Sequence, residues 1–303
     1  MTFRRKQIIH PSDLPKGERV NINGPCCIKV PKWCKSKLAN YYLYYAHHSG
    51  ENIRMSYTNN LFEKWSSFKG GVLNINQTID AYGHIASPEI MINEQEELIY
   101  MYFHAPSKSK NGEQWTYLAV SIDGINFKQI SKRPIAPFYL RIFNYRGYTY
   151  GMVKGGSIWK FKKNINSFNF LTNPFNNSDK NEIWHNYEGA VRHVGLFLKK
   201  DILHVFYSKI SDIPERIMHT FIKVNKKNDK KWVVEKCVEI IRPEKIFEGS
   251  NLPLKKSTAG AAHYPENALR DPFIFFDSNK YYLFYSIAGE QGIAISEFDN
   301  LPK

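Results

Sequence analysis

Short runs of alternating apolar and polar residues, separated by turn-forming residues, fill this chain, and Arg270 to Asn300 shows the unit most plainly. Asp271-Pro272 opens an apolar run, and Asp277-Ser278-Asn279 is turn-prone. Tyr281 to Ile287 is aromatic and alternating, Gly289 to Gly292 turns the chain again, and Ile293 to Phe298 is a third run. Period-two alternation between turn signals predicts three consecutive antiparallel strands.

The same unit recurs. Gly24 opens a copy whose later strands begin near Tyr41 and Ile53; Ser87 is followed by Leu98 and Tyr117; Ala136 by Tyr148 and Ser157; Val191 by Ile202 and Arg216. First and second strands begin 11 or 12 residues apart in four copies and 17 apart in the first. A repeat near fifty residues that cannot bury its own faces predicts a ring or a stack. Five near-equal meanders predict an all-β five-bladed β-propeller with four-stranded antiparallel blades, spanning residues 1–303 as a single domain. Fourth, outer strands are expected at Trp65–Phe68, Phe127–Ile130, Phe168–Leu171 and Trp232–Ile241. The last copy ends without one. Phe3–Ile9 is the segment expected to complete it and so remove an open sheet edge.

Composition fits this picture. Aromatic residues make up 15% of the chain, with 19 Tyr and 20 Phe, concentrated in the second-strand runs where β propensity favours them. The net charge of +14 favours acidic partners, an anionic polymer among them. No recognition-helix, zinc-finger or RNA-binding sheet motif accompanies it, so a nucleic-acid partner is not expected. The four cysteines include no Cys-x-x-Cys pair, and free buried thiols are expected. The basic N-terminal segment has no apolar stretch of signal-peptide length, and no run of about 18 apolar residues occurs, so no membrane partner is expected and a cytoplasmic location is. The oligomeric state is left open.

The candidate chemistry lies at strand starts and in the loops that feed them, which in a propeller converge on one end of the central channel. The first copy contributes His48. The second has His84, Glu89 directly after Pro88, and His104; a Glu opening an apolar strand is costly to bury unpaired. Arg141 interrupts the apolar run of the third copy. Glu188, Arg192 and His193 precede or open the fourth strand set, and Arg216 follows its second turn. The densest polar cluster, His263, Glu266, Arg270 and Asp271, leads into the fifth copy. No His or Cys spacing specific to zinc is present. The residues call for no cofactor and leave open a calcium or other ion in the channel.

Arg270-Asp271-Pro272 with YYLFYS, Ser87-Pro88-Glu89 with IYMYF, and Tyr187-Glu188-Gly189 resemble the blade motifs of the five-bladed propeller glycosidases, chiefly glycoside hydrolase family 43 and its relatives in families 32, 68 and 117. The combination of GPCCIKVP, HIASPEI, VRHVGLFL and LRDPFIFF is more closely similar to an uncharacterised bacterial subgroup of family-43-like glycosidases. The resemblance covers roughly Asn23 to Phe298. It implies three carboxyl groups: a base Asp in an Asp-Pro opening blade one, an Asp after a Pro in blade two that tunes a pKa, and an acid Glu. Residue by residue, Glu89 matches the tuning position with Glu for Asp, and Glu188 resembles the acid. Gly24 stands at the base position, so the usual base is absent; Asp271 sits in a matching Asp-Pro, in the last blade. The resemblance also implies inversion at the anomeric carbon.

Glycoside cleavage asks for one protonated and one ionised carboxyl flanking the bond. On that account Asp271 is the expected ionised carboxylate, with Glu188 or Glu266 as the acid and Glu89 as the remaining carboxyl. His48, His84, His104, Arg141, Arg192, His193, Arg216, His263 and Arg270 are the expected substrate-binding residues. A silent carbohydrate-binding propeller, motivated by Gly24, is the alternative; a phosphorolytic or transferase propeller would also suit the clustered arginines.

Overall fold

The computed structural model describes residues 4–19, 21–163, 166–175, 188–224, 228 and 231–302. Five antiparallel sheets follow one another along the chain and close into a ring, so the five-bladed propeller expected from the repeat is the fold. Blade I consists of Asn23–Lys29, Tyr41–Ala46, Asn52–Thr58 and Ser66–Ser67, with Leu73–Asn74 added beside its third strand. Blade II consists of Ala86–Asn93, Leu98–Pro106, Gln114–Ser121 and Lys128–Gln129. Blade III runs through Arg141–Tyr145, Tyr148–Met152, Ile158–Lys162 and Ser167–Thr172, and blade IV through Val191–Lys199, Ile202–Lys209, Ile217–Lys223 and Val238–Ile241. Blade V has Arg270–Asp277, Lys280–Ser286 and Ile293–Phe298.

The outer strand of blade V is Arg4–Ile9, brought from the other end of the chain with Arg4 opposite Glu297 and Gln7 opposite Ala294. This is the closure expected from the sequence; Phe3 lies outside the described residues. One boundary differs. Ala136–Pro137 pairs with the third strand of blade II, and blade III begins only at Arg141. The reason is local: Pro137 has no N–H to donate, and Tyr139 turns through a left-handed conformation (φ 58°), which ends one strand before the next begins.

Alternation in the second strands builds the core. Tyr42 and Tyr44 pack towards blade II, whereas Leu43 and Tyr45 pack towards blade V. In blade V, Leu283 and Tyr285 face blade IV while Tyr282 and Phe284 face blade I. Similar clusters fill the II/III and III/IV interfaces, so each of the five interfaces has its own hydrophobic core. Because adjacent side chains leave a strand on opposite faces, each blade is glued to both neighbours. Three cysteines are free and buried as expected, but Cys237 is free and exposed. Among the described residues, no helix is long and apolar enough to cross a membrane.

Candidate active site

The first strands of the blades surround the axis, and four of them open on the same irregularity. Their pairing with the second strand is interrupted between Asn23 and Cys26, Ala86 and Glu89, Val191 and Val194, and Arg270 and Phe273. These bulges re-aim side chains towards the axis. Gly24, Ser87, Tyr139 and Asp271 all hold positive φ, at 61°, 47°, 58° and 53°. Three of these are not glycine, a backbone cost tolerated where the surrounding structure fixes the conformation.

In an up-and-down meander, the start of the first strand and the turn from the second strand to the third lie at the same end. That turn supplies one polar residue per blade: His48 in blade I, Gln114 at the end of the turn in blade II, Lys154 in III, Glu215 in IV and Glu290 in V. His48, Gln114, Lys154, Glu290, Phe138, Tyr139, Arg192, His193 and Gly260 line a cavity of about 130 Å³ at this end of the channel.

Asp271 is buried behind its wall. Its Oδ2 accepts from the backbone N–H of Gly24 (3.3 Å) and from Ser286 Oγ (3.0 Å), and its Oδ1 meets Nδ1 of His193. Burial, reinforced by the positive charges of Arg192 and Arg141, holds the His193 imidazole well below its ordinary pKa, in the neutral form. The ring of Tyr139 stands edge-on to His193, with centroids 3.7 Å apart.

A network of buried charges backs this wall. Glu215 accepts from Arg192 Nε (2.7 Å), Arg270 Nε (3.0 Å) and Ser208 Oγ (2.7 Å). Arg270 also reaches Glu290 (3.4 Å) and Glu266 (2.7 Å), and both arginines donate to the Gly260 carbonyl. Glu290 accepts from Asn23 Nδ2 (2.9 Å) and lies 3.2 Å from His48 Nδ1. Burial alone would raise its pKa, but the His48, Arg270 and Asn23 contacts outweigh it and hold the carboxyl ionised, at about 2. Lys154 is lowered to about 8 by burial and by the Arg192 charge.

One layer deeper, Arg141 sits on the axis and touches every other blade. Its guanidinium donates to the carbonyls of Pro25 (3.3 Å), Pro88 (2.8 Å) and Val194 (3.2 Å), pairs with Glu89 Oε2 (2.8 Å), and lies 5.6 Å from the centre of the Phe273 ring. The other Glu89 oxygen accepts from the Ile142 N–H (3.1 Å). Burial raises the Glu89 pKa against the pull of Arg141. Converging carbonyls are what a hard cation would take. Here the guanidinium occupies that role, so these residues do not fit a calcium ion at this level. Among the described residues, no three His, Cys, Asp or Glu side chains are grouped to hold a metal.

Of the residues singled out from the sequence, Asp271, Arg270, Glu266, Arg192, His193 and His48 therefore gather at one end of the channel. Glu89 and Arg141 are engaged with each other and with the ring below it. His104 is buried behind Tyr139 and Phe138, with His84 next to it and bonded to Gln114 (3.4 Å). Three residues stand apart. Glu188 is exposed and bonded to Lys256 (2.6 Å), Arg216 pairs with Glu239 (3.1 Å) beside the outer strand of blade IV, and His263 is exposed. Tyr187, next to Glu188, lies outside the described residues. The loops carry these side chains outward. Glu290, Lys154, Gln114 and Glu215 are not among the residues singled out from the sequence. The available signal was their common place after the second strand of each repeat.

No family model matches the sequence. The chain is 36% identical over 296 residues to the uncharacterized protein R118 of Acanthamoeba polyphaga mimivirus, covering 91% of this chain and 83% of that protein. Among solved structures it is similar to a putative glycoside hydrolase from Bacteroides ovatus ATCC 8483 (TM-score 0.67, 13% identity, 99% of this chain and 97% of that one). It is also similar to the GH43_1 enzyme from Xanthomonas citri complexed with xylotriose (TM-score 0.61, 12% identity, 96% and 90%). Such identities speak for the fold, which is that of the family 43 glycoside hydrolases. The chain belongs to the family of the mimivirus protein R118, and its fold is the five-bladed propeller.

Proposed function

We propose that this propeller binds a carbohydrate in its funnel and hydrolyses a glycosidic bond there. The observation that carries the reading is the convergence of polar side chains from the strand starts and second turns of all five blades on one small cavity. That cavity occupies the end of a ring whose solved neighbours include a glycoside hydrolase holding xylotriose. The axis below is plugged by Arg141, so the sugar enters and leaves by the same mouth, which favours cleavage at a chain end.

The residues depart from a simple pair of carboxyls. Glu290 is held ionised, Glu89 is paired with Arg141, and Glu188 faces Lys256. Asp271, with two hydrogen bonds accepted on Oδ2 and His193 against Oδ1, is the ionised carboxylate of this reading. Lys154 and Arg192 in the cavity wall favour a sugar bearing a negative group. The test is a screen of chromogenic glycosides, neutral and uronic, combined with calorimetric binding of the matching oligosaccharides. Turnover of any glycoside that Asp271→Asn abolishes supports hydrolysis; sugar binding without turnover would make this a carbohydrate-binding propeller instead.

A further inference from the structure

We infer that His193, oriented by Asp271, is the residue that takes the proton from the attacking water, and that Lys154 gives the proton to the departing oxygen. This rests on the hydrolytic reading above and names the groups that perform it. Asp271 is almost wholly buried and does not line the cavity, whereas His193 forms part of its wall. With Nδ1 against the Asp271 carboxylate, which in its ionised form only accepts hydrogen bonds, that nitrogen carries the ring hydrogen and Nε2 keeps its lone pair. Nε2 is buried and has no hydrogen-bond partner among the described residues. Leaving a buried polar atom unsatisfied is costly, so its retention at a cavity wall calls for a partner supplied from the cavity.

The groups facing this imidazole set its charge. Asp271 stands on the Nδ1 side; Arg192, Arg141, His104 and Lys154 surround it, and Tyr139 covers one edge. The positive neighbours and burial keep the ring neutral, as a base must be before the reaction. Lys154 lines the same cavity with its ammonium 5.3 Å from the centre of the Phe138 ring. Glu290 is held ionised and guanidinium groups do not titrate, whereas Lys154, in the same wall and lowered to about 8, carries a proton it can donate near neutral pH.

In the step, the water oxygen bonds to the anomeric carbon while one water proton passes to His193 Nε2. The bond from the anomeric carbon to the leaving oxygen breaks with its electron pair on that oxygen, which takes a proton from Lys154. Return of the proton from the imidazolium to the amine through solvent resets both groups. Asp271 is a positioning residue in this scheme.

The experiment uses full-length protein and the aryl glycoside that the wild type turns over. His193→Ala and the bulkier His193→Gln are expected to lose about 100-fold or more in kcat with KM little changed, and imidazole in the buffer to restore part of the His193→Ala loss. Lys154→Met is expected to be severely impaired on a phenyl glycoside and close to wild type on the dinitrophenyl glycoside, whose leaving group needs no proton. Either His193 variant, folded by circular dichroism, turning over within threefold of wild type overturns the inference, as does an equal Lys154→Met loss on both substrates. A wild type that binds sugar yet turns over no glycoside refutes the hydrolytic reading itself, and this inference with it.

Discussion

The carboxylate of Asp271 accepts a hydrogen bond from the backbone N–H of Gly24 at 3.3 Å, so a side chain from the last blade is held against the first strand of the first. A Cβ on Gly24 would lie 3.2 Å from Ser87 Cα, and the backbone there is left-handed. The first expected outcome is that Gly24→Ala destabilises the protein by about 1–2 kcal/mol, through the left-handed backbone, in urea denaturation. An unchanged midpoint would show that the first strand can shift without cost.

Glu215 is buried between Arg192 and Arg270 and neutralises both. Glu215→Gln would leave two buried guanidiniums without their shared counter-charge. A loss of about 3–5 kcal/mol is expected, measured by chemical denaturation at neutral pH. A loss under 1 kcal/mol would mean that Glu290 and Glu266 suffice to hold Arg270.

The acid limb of stability should carry the signature of Glu290. Its folded pKa of about 2 lies below the unfolded value of about 4.3, so its contribution is fully present above the unfolded value and is lost as pH falls through the folded one. Melting temperatures of wild type and Glu290→Gln are expected to converge between about pH 4 and pH 2. Parallel curves across that window would assign the low pKa to another group.

Removing residues 1–10 would strip the outer strand from blade V together with Ile8 and Ile9, both in the core between blades V and I, and the Arg5 contact to Glu248 (3.2 Å). A large fall in melting temperature is expected, because a core is opened and a sheet edge is left unpaired. A truncated protein melting with the full chain would show that the ring is held shut by its other interfaces.

Much of the architecture was legible in the order of residues, because strand alternation and turn chemistry are local: each repeat announces its own strands, and the missing fourth strand of the last repeat pointed to the segment ending at Ile9. The cluster around Arg270 and Asp271 was legible for a similar reason, since charges that interrupt or directly precede apolar runs stand out. What stayed hidden depended on the ring. Arg141 reads in sequence as a ligand for a substrate, yet ring closure brings the carbonyls of Pro25, Pro88 and Val194 to it, and its donors are taken by them. Glu188 reads as an acid beside a strand, yet its side chain leaves towards Lys256. Glu290 and Glu215 look like ordinary turn residues, and become part of the site only because second turns and first-strand starts share one end of every blade. Sequence determined the blades, since their pairing, the outer strand of blade V aside, is decided within about fifty residues. Tertiary structure decided which charges meet, since those contacts link residues up to 267 positions apart, such as Asn23 and Glu290, through a symmetry that no local pattern contains.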